Sequence, residues 1–85
     1  MYAGTFNVSD TKNHNLFYWF FKNTSLTAPP LVLWINGGPG ASSMFGLFLE
    51  NGPLRVKKNG TGADDYQIGL AAESWGDYAD IIFLD

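Results

Sequence analysis

Polar and glycine-rich stretches divide the hydrophobic positions of this chain into short blocks. "YAGTFNV" and "NLFYWFFKN" are rich in aromatic and β-branched residues and flank the polar turn "SDTKNHN". That pattern predicts an antiparallel hairpin. "TSLTAPP" reads as a loop, because its prolines cannot continue a ladder. "LVLWIN" is continuously apolar rather than alternating, which predicts a strand buried on both faces in the middle of a sheet.

After "GGPG", the stretch "SSMFGLFLENGP" predicts a short helix. Ser42 or Ser43 would cap it, Phe45, Phe48 and Leu49 would form its apolar stripe, and Asn51, Gly52 and Pro53 would stop it. "LRV" reads as a short strand, "KKNGTGADDYQIG" as a polar loop and "LAAESWGDYAD" as irregular or a weak helical turn. "IIFLD" is another fully apolar strand, closed by an acid. No internal repeat or domain boundary interrupts residues 1–85.

A strand that runs into glycines and then a helix is the layout of several anion sites. A phosphate-binding loop of G-x-x-x-x-G-K-[ST] type needs a lysine that is missing here, and a dinucleotide fingerprint fails at Ala41, Ser42 and Ser43. A nucleophile elbow, G-x-S-x-G, begins correctly at Gly40-Ala41-Ser42 but meets Met44 in its fifth position, so helix capping explains Ser42 better. Two readings of "NGGPG" stay open. It is either plain loop geometry or the early strand-to-helix loop that supplies an oxyanion donor in α/β hydrolases.

Composition narrows the class. A net charge of −3, with only Arg55, Lys57 and Lys58 close together, does not build a nucleic-acid footprint; that basic trio reads as a solvated strand end. The longest apolar runs are far shorter than the roughly 20 residues of a membrane span. "MYAGTFNVSD" does not read as a signal peptide. Cysteine is absent, so disulfides say nothing of the compartment. Asn7, Asn23 and Asn59 each open an N-x-[ST] sequon at an expected strand end or loop, which points to glycosylation and a secretory route. Aromatics make up 16% of the residues and charged groups only 15%, so some of the aromatics are expected to meet a partner surface.

The stretch "LVLWINGGPGASSMFGLFLENGPLRV" resembles the serine carboxypeptidases, whose N-terminal region carries W-L-N-G-G-P-G-C-S-S and then a short helix ending in E-x-G-P. "YAGTFNV" with "NLFYWFF" is similar to that family's opening hairpin, and "SWGDYADIIFLD" to one of its later strands. The form without cysteine, with Ala41 in its place, looks most similar to the vitellogenic-like branch. The resemblance implies the N-terminal part of an α/β-hydrolase fold: an antiparallel hairpin, then central-sheet strands with a short helix after the NGGPG loop, incomplete on its own. It implies release of C-terminal residues from peptides at acid pH by a Ser-Asp-His triad, without cofactor or metal, in a lysosomal, vacuolar or extracellular setting.

Carried over by position, the resemblance makes the backbone N–H of Gly38 the oxyanion donor. Asn36, the N–H of Gly37 and Glu50 would hold the substrate's terminal carboxylate, with Trp34 supporting that pocket. Phe45 and Leu49 would line the site for the departing side chain. The physical chemistry of Glu50 agrees. Two carboxyl groups at hydrogen-bond distance cannot both stay ionised, so such a site works where acid pH leaves them one shared proton. A solvated acid at a helix end is the competing reading of Glu50.

No G-x-S-x-G occurs in these residues, and the lone His14 falls in the hairpin turn. The 85 residues alone are therefore expected to lack peptidase activity and to need the remainder of the domain as their partner. The alternative is a non-catalytic glycosylated module that binds peptide C-termini, since backbone N–H nests capture carboxylates outside enzymes.

Overall fold

The computed structural model describes residues 1–85. Strands β1 (Tyr2–Asn7) and β2 (Asn15–Phe21) form the expected hairpin, paired from Tyr2 opposite Phe20 to Asn7 opposite Asn15. Strand β3 (Leu31–Trp34) follows, then a helical turn over Gly46–Glu50. Strands β4 (Leu54–Lys58) and β5 (Tyr66–Leu70), a short turn Trp75–Asp77 and strand β6 (Asp80–Leu84) complete the order.

The main sheet runs β1-β2-β6-β3, with β6 antiparallel to β2 and parallel to β3. Side chains alternate across a strand, so the register sorts the sheet into two faces. One face carries Trp19, Phe21, Val32, Trp34, Ile81 and Phe83, and it is covered by Met44, Leu47, Phe48 and Leu54. Leu47, Ile81 and Phe83 are the fully enclosed centre of that layer. Phe21 meets Phe83 edge to face, and Trp19 meets Phe48 the same way.

Three expectations need correction. The apolar run at 31–36 is not in mid-sheet: β3 lies at the edge, and Leu31 and Leu33 are 65% and 56% exposed. Strand β6, the other fully apolar run, lies inside the sheet between β2 and β3, as β2 lies between β1 and β6.

The region 57–69 is not all loop. Lys57 and Lys58 extend β4, and residues 66–70 form β5, paired with β4 in a separate two-stranded sheet. The connection closes where the Asn59 N–H donates to the Asp65 carbonyl at 2.6 Å and Lys58 Nζ sits 4.7 Å from the Tyr66 ring centroid.

The helix after the glycines is shorter and wider than the stripe suggests. The N–H groups of both Asn51 and Gly52 converge on the Gly46 carbonyl, at 3.1 and 3.0 Å, so the last turn closes over five and six residues instead of four. Neither serine caps it: the residue at its start is Phe45, with no side-chain cap, while Ser42 accepts the Met44 N–H at 3.2 Å ahead of the turn and Ser43 has another task.

Candidate carboxylate-binding site

The site grows from the end of β3. Trp34 lies on the covered face of the sheet, and its indole Nε1 donates to Asn36 Oδ1 at 2.6 Å. With its oxygen committed to that donor, the Asn36 amide must turn its NH2 outward. There Nδ2 donates to Glu50 Oε1 at 3.2 Å, across from the helical turn. The structure thus joins three expected site residues, Trp34, Asn36 and Glu50, in one chain of hydrogen bonds.

Gly46 makes this possible. A methyl group there would lie 2.8 Å from Trp34 Cδ1 and overlap the indole nitrogen. Trp75 then meets the Trp34 ring edge to face, with centroids 5.5 Å apart.

Glu50 stands at the helix end, where the macrodipole disfavours a carboxylate. The compensating cation is Arg55. Its guanidinium donates to the Glu50, Gly52 and Leu54 carbonyls at 2.6, 2.7 and 2.8 Å. This corrects its reading as part of a solvated strand end. Arg55 binds only main-chain oxygens, which leaves the Glu50 side chain to Asn36, and Oε2 makes no hydrogen bond within the chain.

The loop 37–40 is exposed, and the N–H groups of Gly37 and Gly38 make no hydrogen bond within the chain. Gly38 has φ +137°, and a Cβ on it would lie 2.9 Å from the backbone nitrogens of Gly40 and Ala41. Only glycine fits that backbone. Two free N–H donors therefore follow directly on Asn36, whose amide is bonded to the Glu50 carboxyl group, a donor set suited to an anionic oxygen.

Phe45 and Leu49 project from one side of the helical segment, as residues four apart do. With Ser42, Met44, Phe48 and Val56 they line an open apolar hollow of ≈ 350 Å³. Glu50 borders a different cavity, of ≈ 270 Å³, with Asn51, Glu73, Ser74, Trp75 and Tyr78. Of the expected substrate residues, Phe45 and Leu49 thus line an apolar hollow and Glu50 a polar one, while Trp34, Asn36 and Gly37 line neither.

Sequence reasoning missed Gly46, Arg55, Ser43 and Trp75. A glycine inside an apolar helical stripe was a usable signal for a close approach, and Gly46 is one.

The three sequon asparagines are not equivalent. Asn7 ends β1 and accepts the Ser9 N–H at 3.0 Å, and Asn59 follows β4 in an exposed turn. Asn23 is a tether: its backbone N–H donates to Asp80 Oδ1 at 2.6 Å, and its Nδ2 donates to the Gly76 carbonyl at 2.8 Å.

Comparison with known proteins places the chain in a family. The family profile described as "Serine carboxypeptidase" matches residues 1–85. The chain is 44% identical over 86 residues to the venom serine carboxypeptidase of Apis mellifera, covering 99% of this chain and 17% of that protein. It is 54% identical over 61 residues to the probable serine carboxypeptidase CPVL of Rattus norvegicus, covering 71% and 13%. Among solved structures it is similar to KEX1(delta)P, a prohormone-processing carboxypeptidase from Saccharomyces cerevisiae. The TM-score is 0.81 at 33% identity, over 98% of this chain and 18% of that one. The chain thus spans less than a fifth of the relatives and the solved structure it matches. On the profile match and these similarities, the chain belongs to the serine carboxypeptidase family.

Proposed function

We propose that residues 1–85 are the N-terminal part of one α/β-hydrolase domain, and that they hold the substrate's C-terminal carboxylate and its reacting carbonyl in a serine-type carboxypeptidase. The observation that carries this reading is the hydrogen-bonded chain Trp34–Asn36–Glu50 beside the unengaged N–H groups of Gly37 and Gly38. The Asn36 amide and the Gly37 N–H donate to the carboxylate. Glu50 Oε2 shares a proton with it, and the Gly38 N–H donates to the oxyanion of the tetrahedral intermediate. The apolar cavity around Phe45 and Leu49 receives a side chain next to the scissile bond.

No nucleophile–base pair supports activity of these residues alone. Ser42 accepts the Met44 N–H, and His14 belongs to the β1–β2 turn. The triad belongs to the remainder of the domain in this reading. A secretory setting, lysosomal, vacuolar or extracellular, fits the shared proton and the three sequons. No helix is long and apolar enough to cross a membrane.

The test is Glu50→Gln in the full-length enzyme. KM is measured from about pH 4 to about pH 7 for a blocked dipeptide with a free C-terminal carboxylate. With Glu50, KM is expected to climb as pH rises, because the shared proton is lost and two carboxylates repel. Glutamine donates at every pH, so the variant's KM is expected to stay level. Superimposable profiles would refute the assignment.

A further inference from the structure

Behind the carboxylate site lies a buried hydroxyl that the reading above does not use. Ser43 is 2% exposed and bonded at both ends: its Oγ accepts the Asn36 N–H at 3.1 Å, and its own N–H donates to Asp85 Oδ1 at 2.9 Å. The N–H of Asn36 is the last before the glycines, so this contact fixes where the free donors of Gly37 and Gly38 begin. Asp85 is itself held in place. Its backbone N–H donates to the Phe17 carbonyl at 2.7 Å, and its carbonyl accepts the Phe17 N–H at 3.1 Å. Its main chain is thereby pinned to β2 at the end of β6, and that fixes where its carboxylate starts.

The sheet continues through these bonds to Glu50. The ladder holds Asp85, Asp85 holds Ser43, Ser43 holds the backbone of Asn36, and the Asn36 side chain holds Glu50. Ser43 is buried and its N–H has no other acceptor within the chain, so losing this one leaves that donor without a protein partner.

We infer that Asp85 is a positioning residue for the carboxylate site, acting through Ser43 to set the orientation of Asn36 against Glu50. The inference rests on the carboxypeptidase reading of that site. It assigns Asp85 no contact with substrate.

The test uses the full-length enzyme with two probes, a blocked dipeptide with a free C-terminal carboxylate and the same dipeptide as its C-terminal amide. Asp85→Ala is expected to raise KM for the acid about tenfold and leave kcat within about threefold, because the loss falls on binding of the carboxylate. The inhibition constant of the amide is expected not to change, since the amide makes no use of the site. Asp85→Asn, whose side-chain carbonyl can accept the same N–H, is expected to restore the acid's KM to within about threefold of the parent. Ser43→Ala, a small change at a buried position, should reproduce the Asp85→Ala shift and serves if that variant does not accumulate.

A merely structural role for Asp85 would lower the active fraction, and so kcat for the acid, with KM unmoved; that result overturns the inference. So does a failure of Asp85→Asn to restore KM, which would assign the effect to lost charge. Glu50→Ala, assayed alongside, separates the two levels. If it raises the acid's KM while neither Asp85→Ala nor Ser43→Ala does, the relay falls and the carboxylate site stands. If Glu50→Ala has no effect, the site reading itself falls, and the inference with it.

Discussion

Single residues here act by what they leave room for as much as by what they contact. Gly46 is the clearest case. Its missing Cβ is the space in which the Trp34 indole lies, and the indole N–H sets the Asn36 amide the right way round. Gly46→Ala must push the ring off the turn or spread the turn itself, and overpacking of this kind typically costs about 1–3 kcal/mol. The full-length Gly46→Ala protein is therefore expected to unfold at lower denaturant and to show a changed near-ultraviolet signal from the Trp34–Trp75 pair. A variant matching its parent in both would show that the indole is not held by this approach. Trp34, Asn36 and Glu50, which hydrogen bonds join, were legible as a group because they lie within one short recognisable stretch. Ser43 and Asp85 were not, because they are 42 positions apart and only folding brings them together. The tie from Asn23 to Asp80, 57 positions apart, was hidden for the same reason.

Among the elements, the helical turn Gly46–Glu50, with Phe45 just before it, carries the most of the proposed site on the fewest residues. It presents Phe45 and Leu49 to the apolar cavity and Glu50 to Asn36, and it is far too short to be stable by propensity alone. Packing of Leu47 near its start and the Arg55 guanidinium on the Glu50 carbonyl and on that of Gly52 just beyond hold it in place. Arg55→Met keeps much of the aliphatic stem and removes the donors. It is expected to lower stability by about 1–2 kcal/mol, read from the denaturant midpoint, and to weaken binding of free-carboxylate peptides more than of their amides. Equal weakening of both would place Arg55 in the scaffold only. The hairpin β1–β2 was readable because aromatic-rich runs flank a polar turn. Strand β5 was not: Tyr66, Ile68 and Leu70 are all exposed, and a Gly-rich connection hides their pairing with β4. The apolar spacing of Phe45, Phe48 and Leu49 announced a helix but could not show its wide closure, which depends on where the Asn51 and Gly52 N–H groups find a carbonyl.

For the molecule as a whole, the two faces of the main sheet are unequal. One packs under the helical turn and β4 around Leu47, Ile81 and Phe83. The other carries Tyr2, Phe6, Leu31 and Leu33 in the open, with Tyr2 stacked on Phe20 and Phe6 on Tyr18. A parallel pair such as β3–β6 is normally covered on both faces, and large bare apolar patches are a mark of surfaces that pack against something. The expected excess of aromatics over what a small core can enclose has this as its physical form. A core of three fully buried side chains offers little to offset chain entropy, so the isolated 85 residues are expected to bind an apolar dye and to melt broadly. Hydrogen exchange should grade the sheet in the same experiment. Amides of β6, flanked by β2 and β3, exchange slowest, and those of the β4–β5 ribbon, a two-stranded sheet, exchange fastest. A sharp cooperative melt with no dye bound would instead mean that the chain closes its own apolar face. The stand-alone binding module would then become the better reading of the carboxylate site.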